Sequence, residues 1–287
     1  MSIEDIKTIG VLGAGQMGAG IAHVAALAGF RVLLADVTEE RAEGGRAGIA
    51  KRLDRNVAKG RMTQEDRDAA VERITACTID AFSEADFAVE AASENVDLKL
   101  ELFRKLDAVV PAGAILASNT SSISITKIGA VTSRPEQVIG MHFMNPVPVM
   151  KLVEVIRSLE TSDAVVAKTV ALAEAMGKTC VEAKDYPGFA VNRILMPYIN
   201  EAFEALREGI ASAEGIDTSM KLGTNVPMGP LTLADFIGLD TCLAIMEVLY
   251  EGFSDSKYRP SPLLRKYVEA GLLGRKTKRG VYDYREA

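Results

Sequence analysis

Histidine is nearly missing from this chain: 287 residues contain only His23 and His142. With no second histidine near His142 and no cysteine in the loop after it, a zinc site is not expected. Cysteine is scarce too. Cys77, Cys180 and Cys242 lie far apart, match no metal-ligand spacing, and fit a reducing cytoplasm better than a disulfide framework. Basic charge is not in excess, with 33 Lys and Arg against 39 Asp and Glu, a net charge of −6. That balance argues against a general binder of nucleic acid or anionic membrane.

Residues 8–30 lack Asp, Glu, Lys and Arg altogether, which raises the question of a membrane span. Their content answers it. Gly10, Gly13, Gly15, Gly18, Gly20 and Gly29 divide the stretch into strand, turn and helix, and Gln16 and His23 are polar. With a strand-like "IKTIGVLGAG" beginning at residue 6, no targeting segment is expected. A cytoplasmic protein without membrane attachment is expected.

What is present reads as an ordinary globular protein, 48% hydrophobic and 25% charged. Its length suffices for two domains. Apolar β-branched runs at 8–12, 31–35, 86–91, 114–117, 138–143 and 151–156 predict strands. Helical patterns fall near 16–28, 39–59, 64–73, 97–109 and 122–129, the second and third forming a hairpin that turns at Gly60. Strand and helix in repetition imply an α/β fold with a mainly parallel, Rossmann-type sheet. After "DYPGF" (185–189) only helical periodicity continues, with Pro187 placed to open a long helix over 188–208. The expected division is a sheet domain over 1–185 and a smaller all-helical domain over 186–287.

The first strand runs into Gly13-Ala14-Gly15-Gln16-Met17-Gly18, a G-x-G-x-x-G at a strand-to-helix turn. The first glycine permits the turn, the second admits a pyrophosphate to the backbone, and the third lets helix and strand pack closely. A second strand, "FRVLLADV", ends in Asp36, eighteen residues beyond Gly18. An acid there can accept hydrogen bonds from an adenosine ribose and repel a 2′-phosphate, which favours NAD over NADP. Arg31 and Arg41 stand near enough in sequence to leave NADP open. His23, among alanines on the first helix, reads as a packed histidine.

The strands at 138–143 and 151–156 are joined by "NPVPVM", too short for a parallel crossover, so the second returns antiparallel at the sheet edge. A fold-back centred near Pro148 puts His142 opposite Glu154 or one register step away. A carboxylate against one imidazole nitrogen fixes the tautomer and leaves the other nitrogen to exchange a proton. A nicotinamide takes a hydride and a histidine takes the alcohol proton, which is the division of labour a dehydrogenase needs.

Further polar groups lie where ligands bind such sheets. "ASNTSSIS" (117–124) offers Ser118, Asn119, Thr120, Ser121 and Ser122, one of which is expected to cap the next helix; the cluster serves either that cap alone or a hydroxyl that positions a substrate oxygen. Asn192 shares the apolar side of the long helix with Phe189, Leu195, Ile199 and Phe203, so it requires a partner, either packing or substrate. Lys51, Arg55 and Lys59 in "KRLDRNVAKGR" form one helical stripe, either solvated or facing a polyanionic substrate such as a coenzyme A thioester.

Together "GAGQMG", "SNTSS", "HFMNPVPVMKLVEVI", "PGFAVNRILMPYINEA" and "GRKTKRGVYDY" resemble the 3-hydroxyacyl-CoA dehydrogenase family, in its order and over essentially the whole chain. The resemblance implies NAD-linked interconversion of an (S)-3-hydroxyacyl-CoA and a 3-oxoacyl-CoA, with a short-chain substrate such as 3-hydroxybutyryl-CoA. It implies His142 as general base, Glu154 as its partner, and Ser121 and Asn192 at the substrate oxygen. Glu94, Lys99, Asn145 and Lys276 would line the cofactor beside Asp36 and the glycine loop, and Lys59 would approach coenzyme A. Arg52 stands where some relatives carry a serine that touches coenzyme A. A homodimer through the helical domain is also implied. Two rival readings remain: a 6-phosphogluconate-type dehydrogenase, whose catalytic lysine is missing from 187–206, and a crystallin-like or sensor protein that binds nucleotide without turnover.

Overall fold

The charge-free segment after residue 8 forms the centre of the fold. A computed structural model describes residues 3–285. Two compact units divide at Tyr186 and Pro187.

In the first unit β1 (Thr8–Leu12), α1 (Gln16–Leu27) and β2 (Arg31–Ala35) lead into α2 (Glu39–Ala58) and α3 (Gln64–Glu72). There follow β3 (Ile74–Cys77), β4 (Phe87–Glu90), α4 (Val96–Val109), β5 (Ile115–Ser118), α5 (Ile125–Gly129) and β6 (Val138–Phe143). The unit ends with β7 (Leu152–Arg157), α6 (Asp163–Ala175) and β8 (Thr179–Lys184). The sheet order is β3-β2-β1-β4-β5-β6-β7-β8, parallel throughout except for the β6–β7 pair. Every residue of β1, β4, β5 and β6 is buried, as continuous apolar runs require when both faces are covered. Buried residues of α1, among them Ile21, Ala22 and Ala25, pack into the same core as Ile9, Val11, Val32 and Leu34. The charge-free run is therefore a central strand and its buried helix.

Local signals set the element ends. Thr38 accepts a hydrogen bond from Arg41 N to cap α2, and Thr63 caps α3 through Asp66 N. Gly60, at φ 66°, makes the turn between these helices. The chain crosses from one side of β1 to the other between β3 and β4, so the switch point lies between β1 and β4. Open α/β sheets bind ligands there, beyond the carboxyl ends of the strands.

Two local expectations are corrected, and three elements were not anticipated. Strands β3 and β8 and helix α6 were not visible as apolar periodicity. The helix expected from 122 begins at Ile125, and its cap is Ser124, which accepts from Lys127 N. Asp185 adds acceptors for Ser124 Oγ, Ile125 N and Thr126 N. Pro187 does not open a helix, because Gly188 (φ 75°) and Phe189 (φ 50°) take left-handed backbone first.

The second unit is helical: α7 (Val191–Arg207), α8 (Ala213–Thr224), α9 (Pro230–Ile237), α10 (Leu239–Phe253) and α11 (Pro262–Glu269). Met196, Ile199, Phe203, Leu231, Leu239, Met246 and Leu249 form its core. Two buried carboxylates tie the C-terminal segment to this core. Asp235 accepts from Val281 N, Tyr282 N and Tyr284 Oη, while Asp217 accepts from Leu231 N, Thr232 and Tyr282 Oη. Among the described residues no helix is long and apolar enough to cross a membrane.

Candidate active site

The glycine loop has the geometry its residue types require. Gly13 sits at φ 107°, and a Cβ there would stand 2.6 Å from Ala91 O. At Gly18 a Cβ would fall 1.7 Å from Gly13 O, so the first turn of α1 lies directly on the loop. Gly15 differs: a Cβ there would meet nothing within 4 Å. The middle glycine therefore faces open space at a helix N-terminus that no side chain caps. Such an end presents backbone N–H groups to an anion. A cavity of about 380 Å³ opens at this point, bordered by Gly15, Gln16, Asp36, Arg41, Gly48 and Arg52. The donors and the open space fit the pyrophosphate of a dinucleotide.

Asp36 already has work within the protein. One carboxylate oxygen accepts from Ala14 N and the other from Val37 N, both at 2.8 Å, and Arg41 Nε lies 3.1 Å away. The acid thus clamps the glycine loop. Met17 follows in the first turn of α1, half-buried against the core.

Glu94, Ser121 and Lys99 come together beyond β4 and β5. Glu94 Oε1 accepts from Thr120 Oγ1 (2.6 Å), Ser121 N (2.9 Å), Ser121 Oγ (3.2 Å) and Ser122 Oγ (3.0 Å). Its other oxygen lies 3.3 Å from Lys99 Nζ. Burial pushes the Glu94 carboxyl up, but the Lys99 charge and the hydrogen bonds from the 120–122 turn outweigh it, leaving the group below its ordinary value. Lys99 is itself only 1% exposed and meets Glu90 at 2.6 Å and Ala92 O at 3.3 Å. It therefore stands beneath Glu94. Glu90 is wholly buried and also accepts from Ala92 N (2.6 Å) and Ser118 Oγ (2.7 Å).

Sequence reading passed over Glu90. Its signal was an acid closing the apolar run "FAVE". An ionised carboxylate at such a place must find a basic partner inside the protein.

His142 and Glu154 are register partners on β6 and β7, and His142 Nδ1 meets Glu154 Oε2 at 2.8 Å. They are 7% and 0% exposed. An ionised carboxylate only accepts, so Nδ1 carries the proton in this contact. A proton exchanged by this ring with a ligand would pass through Nε2. Asn119 Oδ1 accepts from Phe143 N and holds the end of the same strand. In the loop that follows, Asn145 Oδ1 accepts from Gln16 Nε2 at 3.0 Å, bringing the histidine strand's loop to the glycine loop.

Lys51 and Arg55 on α2 and Lys59 at its C-terminal cap are exposed, whereas Arg52 is half-buried on the cavity wall. Arg52 Nε and Nη2 meet no partner among the described residues. His23 is buried; burial first, then the charges of Arg52 and Lys178, lower its pKa to about 4. The other two candidates belong to the second unit. Asn192 is buried on α7, and Lys276 pairs with Asp240. No group of three potential metal ligands occurs among the described residues.

Comparison with known proteins agrees in sequence and in fold. Residues 8–186 match the family model for the 3-hydroxyacyl-CoA dehydrogenase NAD binding domain, and residues 188–284 match that for its C-terminal domain. The chain is 58% identical to a probable 3-hydroxybutyryl-CoA dehydrogenase of Bacillus subtilis, over 98% of this chain and 99% of that one. It is 56% identical to 3-hydroxybutyryl-CoA dehydrogenase of Bradyrhizobium diazoefficiens, over 98% and 97%. The crystal structure of (S)-3-hydroxybutyryl-CoA dehydrogenase from Ralstonia eutropha superposes with a TM-score of 0.96 at 53% identity, covering 98% of this chain and 100% of that one.

Proposed function

Since the chain belongs to the 3-hydroxyacyl-CoA dehydrogenase family, and is thus an NAD-dependent oxidoreductase, we propose that it acts on short-chain (S)-3-hydroxyacyl-CoA. The foremost substrate is 3-hydroxybutyryl-CoA, interconverted with acetoacetyl-CoA, as the relatives' names suggest. The observation that carries the mechanism is the 2.8 Å contact between His142 Nδ1 and Glu154 at the sheet's carboxyl edge. The 6-phosphogluconate-type and crystallin-like readings give way to this one.

NAD supplies the hydride acceptor when bound. In the oxidation His142 Nε2 takes the 3-hydroxyl proton, and Glu154 stabilises the resulting imidazolium while holding the ring in place. In the reduction the same nitrogen returns the proton. A base so placed is worth about 10²–10⁴-fold in rate. Gly13, Gly15, Gln16, Met17 and Gly18 with Asp36 hold the dinucleotide, with Glu94, Lys99, Asn145 and Lys276 assigned to it by the resemblance. On the same ground Ser121 and Asn192 meet the substrate oxygen, while Lys59 and Arg52 approach coenzyme A. A cytoplasmic homodimer completes the reading.

The test is NADH consumption with acetoacetyl-CoA, set against longer 3-oxoacyl-CoAs and against NADPH. The expected result is highest kcat/KM for acetoacetyl-CoA with NADH, and a loss of at least about 10²-fold in kcat for His142→Gln with NADH binding retained. A His142→Gln enzyme retaining most of its turnover would remove the imidazole from the mechanism.

A further inference from the structure

Behind the serine turn lies a row of three ions that the mechanism above does not use as a unit. Glu90, Lys99 and Glu94 alternate in sign, with contacts of 2.6 Å and 3.3 Å. Two carboxylates and one ammonium leave one net negative charge. Glu90 and Lys99 are 0% and 1% exposed, so water screens them little.

Topology locates this charge relative to the cofactor. Asp36, at the end of β2, marks the adenosine end of the dinucleotide, and the open Gly15 beyond β1 marks the pyrophosphate. Continuing in sheet order, the next strand ends are those of β4 and β5. The Glu94 loop and the Ser121 turn follow those two strands, and His142 lies on β6 beyond them. A dinucleotide laid along this order would bring its nicotinamide end toward the ionic row. Oxidised and reduced nicotinamide rings differ by one unit of positive charge, which the added hydride removes.

We propose that Glu90 is a positioning residue that, through Lys99 and Glu94, sets the site's preference between oxidised and reduced cofactor. Glu90 cannot reach a ligand, since it is buried and engaged by Ala92 N, Ser118 Oγ and Lys99. Its charge decides whether the row presents a net −1 or none. A negative row favours NAD⁺, whose ring is cationic, and a neutral row surrenders that advantage. The proposal rests on NAD dependence alone and is independent of the base role of His142 and of acyl-chain length.

The test needs only binding to the full chain: NADH by fluorescence titration and NAD⁺ by its competition. Glu90→Gln keeps the shape and removes the charge. The expected result is a rise of about tenfold in the ratio of the NAD⁺ Kd to the NADH Kd, as for one charge acting over roughly 10 Å at an effective dielectric of about 20. Glu90→Asp, which keeps the charge, leaves the ratio within about twofold of the parent. Glu90→Gln combined with Lys99→Met returns the row to −1 through Glu94 alone; both affinities fall, since Lys99 is itself assigned to the dinucleotide, but their ratio returns. A purely structural Glu90 would weaken both nucleotides equally, and that result overturns the proposal. So does a double variant whose ratio stays displaced; this arm decides the matter even where the single variant does not fold.

Discussion

Neighbouring glycines on α2 should respond oppositely to the same substitution. Glycine inside a helix costs roughly 0.5–1 kcal/mol relative to alanine. At Gly44 an added Cβ meets no atom within 4 Å, so Gly44→Ala recovers that amount. For a unit of this size it corresponds to a Tm increase of about 1–4 °C. At Gly45 the added Cβ would stand 2.8 Å from Ala14 Cβ and 2.9 Å from Ala14 O. Forcing a methyl into such a contact costs about 1–3 kcal/mol, more than the helix gains. Gly45→Ala is thus expected to lose up to about 2 kcal/mol net. Ala14 belongs to the glycine loop, and its N–H is held by Asp36 at 2.8 Å. Displacing it moves the loop, and each 1.4 kcal/mol lost there weakens NADH about tenfold. Thermal unfolding of both variants with NADH titration of Gly45→Ala checks this. If Gly45→Ala melts as high as Gly44→Ala and binds NADH like the parent, the close approach of α2 to the loop is wrong.

Two further outcomes are expected. The His23 pKa lies near 4 in the folded chain, below its ordinary 6.5, so between these values the unfolded chain binds more protons and stability falls as pH falls. Urea unfolding should show His23→Leu spared about 2 kcal/mol of the loss between pH 7 and pH 5, and equal losses in both proteins would reject this. Glu154→Gln removes the anionic partner of the proposed base while keeping its volume. Steady-state kinetics should show kcat at least about tenfold lower, less than for His142→Gln, with NADH affinity kept; unaltered kcat would dissociate Glu154 from the chemistry.

The pairing of His142 with Glu154 was legible because two independent constraints coincide. The loop is too short for a crossover, and a symmetric fold-back leaves almost no choice of register. Strand β3 was not legible: "ITAC" is four residues long, with no turn residues to mark it. Strand β8 lies at the sheet edge with most of "TCVEAK" exposed, so no apolar run announces it. Helix α6 carries small and apolar residues around much of its circumference, which blurs the 3.6 period. The start of α7 was misplaced because proline signals a first helical turn only when the next residues are helical, and here Gly188 and Phe189 are not. In the site, one residue of the 118–122 run was expected to cap the next helix, a place Ser124 takes. Glu94 gathers three hydroxyls of the run instead, a tertiary contact from 26 to 28 positions away that no local pattern encodes.

Buried carboxylates serve two different ends in this protein, and their partners tell them apart. Asp217 and Asp235 accept backbone N–H and hydroxyl groups, so each fills sites that would otherwise lack a partner. Such acceptors act in stability, because each orphaned donor costs about 1–3 kcal/mol. Glu154 and Glu90 instead each meet a basic side chain, His142 and Lys99, with both members of each pair almost wholly enclosed. A buried ion pair gains little over an apolar pair of equal volume, since desolvation consumes most of the attraction. Packing alone therefore gives no reason for a glutamate on β4 and another on β7, where the flanking residues along the chain, Val89 and Ala91 or Val153 and Val155, are apolar. The reason consistent with both is the proposed chemistry: Glu154 meets the ring of the proposed base at 2.8 Å, and Glu90 carries one of the charges proposed to set the cofactor preference.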